Sequence, residues 1–235
     1  SEIVDLTVKG GNKCNNWPNF PFDVKGATGG LIGDTVIICG GYRGGSEVGD
    51  TSDSDECYSL TSEKVTLVTQ MSVGRYQATS IVLNDNTLWI TGGSNDGLLA
   101  STEYVRMTGT MPGPDMPMAL YDHAMVAINS TYSMVIGGWS NGYSASTFFY
   151  DHNEGEWTTG PSLMQGRDGH AAGIITDEVT DENFVAVTGG SYYSNGFVYL
   201  DSTEILQDGN WIQGNIYTAT ISYLFVKLTV SKQFY

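Results

Sequence analysis

The sequence predicts an all-β fold made of repeated four-stranded units. Glycine accounts for 30 of the 235 residues, well above the usual share of about 7%, and no stretch keeps the 3.6-residue apolar period of a helix. Four apolar runs end in a glycine pair, and the first glycines of successive pairs lie 52, 45 and 52 residues apart. The pairs are Gly40–Gly41, Gly92–Gly93, Gly137–Gly138 and Gly189–Gly190.

Each unit contains the same four segments in the same order. The second segment is the apolar run into the glycine pair, and turn-forming Gly, Asn, Asp and Ser residues separate the segments. The first segments open on Ala27, Ala78, Ala124 and Ala171, and the third on Asp55, Ser101, Ser146 and Ser202. The fourth segments of the last two units carry Trp157 and Trp211. Four antiparallel strands repeated at about 50 residues predict the blades of a β-propeller.

The details of these motifs resemble the kelch family. Aromatic residues occur in the third segments, at Tyr58, Tyr104 and Phe149. The Arg-x-x-His element that begins a kelch unit is complete at Arg167–His170 and partial at Arg75–Gln77 and Tyr121–His123. The resemblance covers about residues 1–215. It implies a kelch-type β-propeller of four clear four-stranded blades plus a partial composite blade, either as a truncation of a six-bladed form or as a five-bladed ring.

The two ends of the chain are predicted to form the partial blade. Ser1–Trp17 would supply its outer strands, and Ala219–Tyr223 is the candidate for its first inner strand. The chain therefore divides into a propeller, residues 1–215, and an atypical apolar tail, residues 216–235. The propeller part carries a net charge of −18, whereas the tail has two lysines and no acid. We expect the tail to cover the edge of the last blade or to mediate self-association.

The glycine pairs have a predicted structural role. The chain leaves the inner strands there at a crowded turn, where one residue needs a positive φ and the next must let a neighbouring backbone approach. Flexible linkers would not follow runs as apolar as VIIC, LWIT, MVI and VAVT.

Charge and motifs exclude several function classes. A net charge of −16 disfavours binding to nucleic acid or to an anionic membrane, and no apolar run is long enough for membrane insertion. His123 and His170 occupy the same repeat position, which favours a role in building the blades over metal ligation, and His152 is expected in solvent. The acidic loop 47–56 could hold calcium but lacks EF-hand spacing. We expect no catalytic residue, metal or cofactor.

Cysteines and one sequon bear on the cellular compartment. In a kelch blade Cys39 ends the second strand and Cys57 lies on the adjacent third strand, so a Cys39–Cys57 disulfide is predicted, with Cys14–Cys57 as the competing pair. Asn129 begins an exposed N-glycosylation sequon. With the resemblance to secreted kelch proteins, these features favour an extracellular location. The alternative is a cytoplasmic protein with three free thiols.

The remaining functional candidates lie in loops. The loops between second and third strands carry Tyr42, Arg43, Trp139, Tyr143, Tyr192, Tyr193 and Phe197. Aromatic residues among Gly, Ser and Asn are typical of protein-recognition loops, although the rings could simply cover the rim of the core. The prediction is a non-enzymatic protein-interaction module whose partner is another protein. The alternatives are a glycan-binding propeller and an enzyme of the galactose-oxidase type, which needs two His and two Tyr around one metal.

Overall fold

The computed structural model describes residues 18–44, 52–177 and 180–214, and all regular structure in these ranges is β-strand. Four antiparallel sheets of four strands follow one another along the chain, which defines a propeller-like fold. Blade 1 contains β2 (Thr28–Ile32), β3 (Thr35–Cys39), β5 (Glu56–Leu60) and β6 (Val65–Gln70). Blade 2 contains β7 (Thr79–Val82), β8 (Leu88–Thr91), β9 (Thr102–Arg106) and β10 (Gly109–Pro112).

The other two blades repeat this order. Blade 3 contains β11 (Ala124–Ala127), β12 (Tyr132–Ile136), β13 (Thr147–Asp151) and β14 (Glu156–Thr159). Blade 4 contains β15 (Ala171–Thr176), β16 (Asn183–Thr188), β19 (Thr203–Gln207) and β20 (Asn210–Gly214). Two short pairs lie outside the blades: β1 (Asp23–Lys25) with β4 (Tyr42–Gly44), and β17 (Ser191–Tyr193) with β18 (Phe197–Tyr199).

The first strands of successive blades pack on one another, β2 on β7, β7 on β11 and β11 on β15. They therefore form the inner layer, with the fourth strands at the periphery. An apolar cluster fills each of the three gaps between neighbouring blades. In β8, Ile90 faces blade 1 and Trp89 faces blade 3, and both are fully buried. A strand covered on both faces explains why LWIT reads as a continuous apolar run rather than an alternating one.

Both glycines of every pair have a positive φ, for example +59° at Gly92 and +93° at Gly93. A Cβ on Gly92 would lie 2.4 Å from the carbonyl oxygen of Leu120, and one on Gly93 would lie 2.8 Å from that of Tyr76. The conformation and the contacts both exclude a side chain. The predicted reason for the glycines therefore applies to both members of the pair.

The second glycine also joins one blade to the next. The N–H of Gly93 donates a 2.8 Å hydrogen bond to the carbonyl of Leu120, which lies in the loop leading into blade 3. Gly41 donates to Arg75 and Gly138 donates to Arg167 in the same way, each at 2.8 Å. This repeated bond between backbones sets the path of each connecting loop.

A disulfide joins Cys39 and Cys57, which are directly opposite on β3 and β5. The predicted pairing is present, and the competing Cys14–Cys57 pair is therefore wrong. Blades 2 to 4 have other pairs at this position: Thr91 with Thr102, Ile136 with Thr147, and Thr188 with Thr203. The disulfide thus replaces an ordinary cross-strand contact at a standard position of the blade.

The strand register corrects one feature of the predicted repeat. Ala27 and Ala78 immediately precede their first strands, whereas Ala124 and Ala171 are the first residues of theirs. The equivalents of Ala27 and Ala78 are therefore His123 and His170. A small residue suits both of these neighbouring positions, so the sequence alone does not distinguish them.

Several predictions lie outside the described residues. They are the composite blade with strands from Ser1–Trp17, the tail 216–235, Cys14 and residues 47–51 of the acidic loop. Within the described ranges, no helix is long and apolar enough to cross a membrane.

A buried ion pair closes the gap between blades 1 and 2. Arg75 and Glu103 have side chains that are 0% and 2% exposed, and their Nη2 and Oε1 atoms are 2.9 Å apart. The arginine also donates to the carbonyls of Gly92 and Ser101, each at 2.9 Å. The Glu103 carboxylate accepts from the N–H groups of Ser72 and Val73 in the connecting loop. Nearly every polar atom of this buried pair is thereby satisfied, as burial demands.

Blade 4 repeats the pair with Arg167 and Glu204, and blade 3 does not. Arg167 bonds Glu204 and the carbonyls of Gly189 and Ser202. The equivalent residues of blade 3 are Leu120 and Phe148, both buried in the apolar cluster facing blade 2. The same position therefore accepts either a satisfied ion pair or an apolar pair.

This alternation predicts how the ion pair responds to substitution. Glu103→Ala leaves the Arg75 cation buried without a carboxylate and should cost about 3–5 kcal/mol of unfolding free energy. Arg75→Leu combined with Glu103→Phe, which reproduces blade 3, should be more stable than Glu103→Ala alone. Urea unfolding of the parent protein, of Glu103→Ala and of the double variant measures the differences in unfolding free energy. A less stable double variant would mean that the bonds from Arg75 to the backbone carbonyls outweigh the ion pair.

Candidate functional site

Two sets of loops meet on one side of the propeller, which we call the loop face. One set joins second to third strands, and the other leads into the first strand of each blade. Backbone bridges tie them together: Tyr76 with Ser94, Tyr121 with Trp139 and Asp168 with Ser191. In blade 1 the bridge extends into the β1–β4 ladder, where Lys25 pairs with Tyr42. The loop face is thus a backbone-paired surface rather than a set of independent loops.

A line of hydrogen bonds runs across the loop face from blade to blade. Gln77 N–H donates to the Gly26 carbonyl at 2.8 Å, Asp122 N–H to Gln77 at 3.0 Å, and Gly169 N–H to Asp122 at 3.0 Å. All four residues have a positive φ, between +49° and +64°. Each of these residues lies two positions before the start of a first strand, so this line of hydrogen bonds lies beside the inner strands. It places the side chains of Gln77 and Asp122 next to each other.

Two half-buried carboxyl groups, Asp122 and Asp168, lie on the loop face. Asp122 accepts a 2.5 Å hydrogen bond from Gln77 Nε2, and Asp168 accepts one from Ser191 Oγ at 2.8 Å. Burial, reinforced by the charge of Asp168, raises the pKa of Asp122 to about 7. Burial also raises the pKa of Asp168. Among the described residues neither carboxyl group forms a salt bridge, and the raised pKa values favour the protonated form of each more than in an exposed aspartate.

Aromatic rings surround these carboxylates. The rings of Tyr121 and Trp139 stack with centroids 5.3 Å apart, and those of Tyr42 and Tyr76 meet edge to face at 6.0 Å. Burial, and then the neighbouring Asp122 and Asp168, raise the pKa of Tyr121. The loop face thus combines aromatic surface with acidic side chains.

Blade 4 extends the loop face outward with the β17–β18 hairpin. Blades 2 and 3 have short loops closed by the backbone bridges Ser94–Leu98 and Trp139–Tyr143. In blade 4 the hairpin adds two residues on each arm, and Tyr193 pairs with Phe197 near the tip. Their rings contact edge to face at 5.6 Å and are 60% and 67% exposed. The hairpin therefore presents accessible aromatic surface that covers little of the core.

The seven predicted loop residues all lie on or beside this face, but they differ in accessibility. Tyr42, Trp139, Tyr143 and Tyr192 are half-buried. Arg43 is not free for a partner: it pairs with Glu56, donates to Ser54 Oγ and lies 4.0 Å over the Phe22 ring. Arg43 therefore stabilises blade 1 rather than presenting a charge on the loop face.

The sequence reasoning missed the inner part of the loop face. Tyr76, Gln77, Tyr121, Asp122 and Asp168 all lie in loops that lead into first strands. The signal was present, because these residues fall inside the three Arg-x-x-His-like elements. The repeated pattern of these elements indicates a structural role, and the residues between the repeated positions point to the surface.

The three histidines are surrounded by residues of the blades. Burial lowers the pKa of both His123 and His170 to about 3, so both are neutral at physiological pH. His123 Nε2 shares a 2.9 Å hydrogen bond with Thr91 Oγ1 of the preceding blade. His152 was expected in solvent, and that expectation is wrong. It is half-buried, bonds Ser133 Oγ at 2.8 Å and packs on Trp89.

The structure also shows the surroundings of the predicted glycosylation site and of part of the acidic loop. Asn129 is exposed in the turn between β11 and β12, where its Oδ1 accepts from the N–H groups of Thr131 and Tyr132. In the described part of the acidic loop, Glu56 is engaged with Arg43 and with the Tyr58 hydroxyl. Among described residues, no three His, Cys, Asp or Glu side chains are grouped closely enough to hold a metal.

Comparison with known proteins supports the fold class. The solved structure of YjhT is similar to this chain, with a TM-score of 0.76 and 15% sequence identity, over 91% of this chain and 77% of that one. No protein-family model matches the chain, and no curated protein sequence matches it. At 15% identity the likeness defines the class of fold, a β-propeller-like protein. It carries no information about ligands or activity.

The raised pKa of Asp122 predicts a pH effect on stability. The folded protein binds this proton more tightly than the unfolded chain, so the contribution is fully present below about pH 4 and is lost as pH rises through 7. Asp122→Asn removes the buried charge, keeps an acceptor for Gln77 and suits the positive φ. The variant should exceed the parent in stability at pH 5 and by a larger margin at pH 8, since the parent loses about 1.4 kcal/mol for each pH unit between about 4 and 7. Urea unfolding at both pH values is the measurement, and an equal difference at both would contradict the assignment.

Proposed function

We propose that the protein is a non-enzymatic binding module that recognises another protein through its loop face. The observation that carries this proposal is the β17–β18 hairpin, which holds Tyr193 and Phe197 away from the core. Large exposed rings lose water on association at little cost in side-chain entropy, which is why aromatic residues concentrate in recognition surfaces. Because the rest of the fold does not need these rings, their exposure favours recognition over core packing.

The charge of the face supports a particular kind of partner. Asp122 and Asp168 lie behind the aromatic residues, and Asp96 is exposed on the neighbouring loop. The nearby bases are engaged, since Lys25 lies over the Tyr42 ring and Arg43 pairs with Glu56. A basic partner surface would complement this charge and would be steered towards it.

The proposal also includes membership of the kelch family and an extracellular location. The kelch resemblance is supported by glycine pairs and Arg-x-x-His elements at equivalent positions of a four-stranded blade. An extracellular location is supported by the buried Cys39–Cys57 disulfide and by the exposed Asn129 sequon.

Substitutions on opposite sides of the propeller test the binding surface. Tyr193→Ser combined with Phe197→Ser should weaken binding to a protein partner purified from the native source by about tenfold or more, as expected when exposed anchor residues are lost. Tyr132→Ser is the matched control, because Tyr132 is an exposed ring at the strand end away from the glycine pair. Surface plasmon resonance at two salt concentrations measures both affinities.

Three results would contradict this proposal. Equal loss of binding in Tyr132→Ser would place the contact elsewhere. Binding that does not weaken with added salt would remove the argument for a basic partner. Binding to an oligosaccharide on a glycan array that is lost in the Tyr193/Phe197 variant would favour the glycan-binding alternative.

The location can be tested through the thiols. Protein from its native source, alkylated without reduction, should show one disulfide between Cys39 and Cys57 and one alkylated or externally capped thiol at Cys14. Peptide mass spectrometry provides the measurement. Three alkylated thiols would favour the cytoplasmic alternative.

A further inference from the structure

The turn between β11 and β12 orients the side chain of Asn129. Residues 129–131 read Asn-Ser-Thr, which is the one N-glycosylation sequon in the sequence. The Oδ1 atom of Asn129 accepts hydrogen bonds from the N–H groups of Thr131 and Tyr132, each at 2.8 Å. Because both partners are donors, the atom that faces the turn must be the oxygen. The amide nitrogen, Nδ2, therefore points away from the backbone of the turn.

The turn needs the oxygen of this side chain but not its nitrogen. In the turn between β13 and β14, Asp151 Oδ1 accepts from the N–H groups of Asn153 and Glu154, in the same way as Asn129 Oδ1 does in its own turn. An aspartate has no amide nitrogen, so the hydrogen bonds of such a turn do not explain an asparagine. Among the described residues Asn129 Nδ2 forms no hydrogen bond, and Asn129 is exposed.

The third residue of the sequon is held through its backbone. The N–H of Thr131 donates to Asn129 Oδ1, and its carbonyl accepts from the N–H of His152 at 2.8 Å. The described hydrogen bonds do not use the Thr131 hydroxyl. Both groups that define the sequon, the amide nitrogen and the hydroxyl, are therefore unused by the fold.

The turn lies at the end of blade 3 that is remote from the loop face. Strand β12 begins beside it at Tyr132 and ends at Ile136, directly before the glycine pair. At about 3.3 Å per residue, the strand separates the turn from the glycine pair by about 13 Å. A group attached to Asn129 Nδ2 therefore lies at the opposite end of the blade from the proposed recognition surface.

We propose that Asn129 carries an N-linked glycan on the side of the propeller opposite the loop face. The proposal rests on the extracellular location given under Proposed function, because Asn-x-Ser/Thr sequons are modified in secreted proteins. It is independent of what the loop face binds. The glycan is bulky and hydrophilic, and it lies beside Tyr132, whose ring is 41% exposed. It thus shields apolar surface while leaving the loop face open.

The donor is an oligosaccharide linked to a polyprenyl diphosphate. A bond forms between Asn129 Nδ2 and the anomeric carbon of the first sugar, and the bond from that carbon to the diphosphate oxygen breaks. The diphosphate leaves as an anion, and Nδ2 releases one proton. The transfer changes no oxidation state, so it needs no oxidant or reductant.

Protein from its native source tests the modification directly. Treatment with a peptide N-glycosidase in water enriched in the heavy oxygen isotope removes the glycan and converts the asparagine into an isotope-labelled aspartate. We expect mass spectrometry to find this label at position 129. The intact chain should also move to lower apparent mass on a denaturing gel.

Three variants of the full chain, secreted from cultured animal cells, separate the sequon from the fold. Asn129→Asp keeps the oxygen that holds the turn and removes the nitrogen, and Thr131→Ala removes the hydroxyl of the sequon. Both should be secreted and folded, as judged by circular dichroism, but should lack the glycan. Thr131→Ser keeps the hydroxyl and is the matched control, so it should keep the glycan.

Failure of this proposal can be distinguished from failure of the proposed location. Unmodified Asn129 in native protein that contains the Cys39–Cys57 disulfide would overturn the glycan and leave the extracellular location standing. Unmodified Asn129 together with three alkylated thiols would overturn both. A glycan that persists in Asn129→Asp would assign the modification to another residue. A change in affinity for the protein partner after glycosidase treatment would place the glycan at the binding surface, which contradicts the proposed side.

Discussion

The hydrogen bond from the second glycine of one blade to the loop of the next blade is the constraint on which the rest of the structure depends. It requires a backbone N–H that points out of the blade and a neighbouring carbonyl within 2.8 Å. A positive φ orients that N–H, and the absence of a side chain allows the approach. Because the acceptor belongs to Arg75, Leu120 or Arg167, the bond also fixes the position of each connecting loop four residues before the next first strand. The side chains that follow these residues in the sequence are thereby placed on the loop face.

With the backbone held by this hydrogen bond, the residue types at neighbouring positions can differ from blade to blade. One position carries a buried Arg–Glu pair in blades 2 and 4 and Leu120 with Phe148 in blade 3. Another carries a disulfide in blade 1 and threonine or isoleucine pairs elsewhere. Buried ion pairs with satisfied hydrogen bonds and well-packed apolar pairs can have similar net stability. Since the apolar clusters of the described residues each join two neighbouring blades, one exchange does not require compensation in distant blades.

Whether a feature of this protein can be predicted from its sequence depends on how far apart in the sequence the contacting residues lie. Four-stranded blades and the Cys39–Cys57 bridge depend on residues within one repeat, and the sequence predicts them. The glycine pairs are predicted because they recur in every repeat. The pairing of Gln77 with Asp122 joins residues 45 positions apart in different blades. The burial of His152 likewise depends on Trp89 of another blade. A polar turn such as Asp-His-Asn-Glu reads as exposed until the neighbouring blade is in place, so this burial was not predictable.

The difference between constant and variable positions supports the proposed recognition surface. The glycines repeat in all four blades, and each has a positive φ, a conformation that favours glycine. The residue that bridges each connecting loop to the loop after the glycine pair varies freely: Lys25, Tyr76, Tyr121 and Asp168. The bridges are formed by main-chain atoms, so different side chains are accepted at these positions, and Asp168 alone of the four adds a side-chain hydrogen bond, from Ser191 Oγ, among the described residues. Positions whose side chains the backbone does not specify, gathered on one face and enriched in tyrosine and aspartate, are the part of a repeat protein that can adapt to a partner.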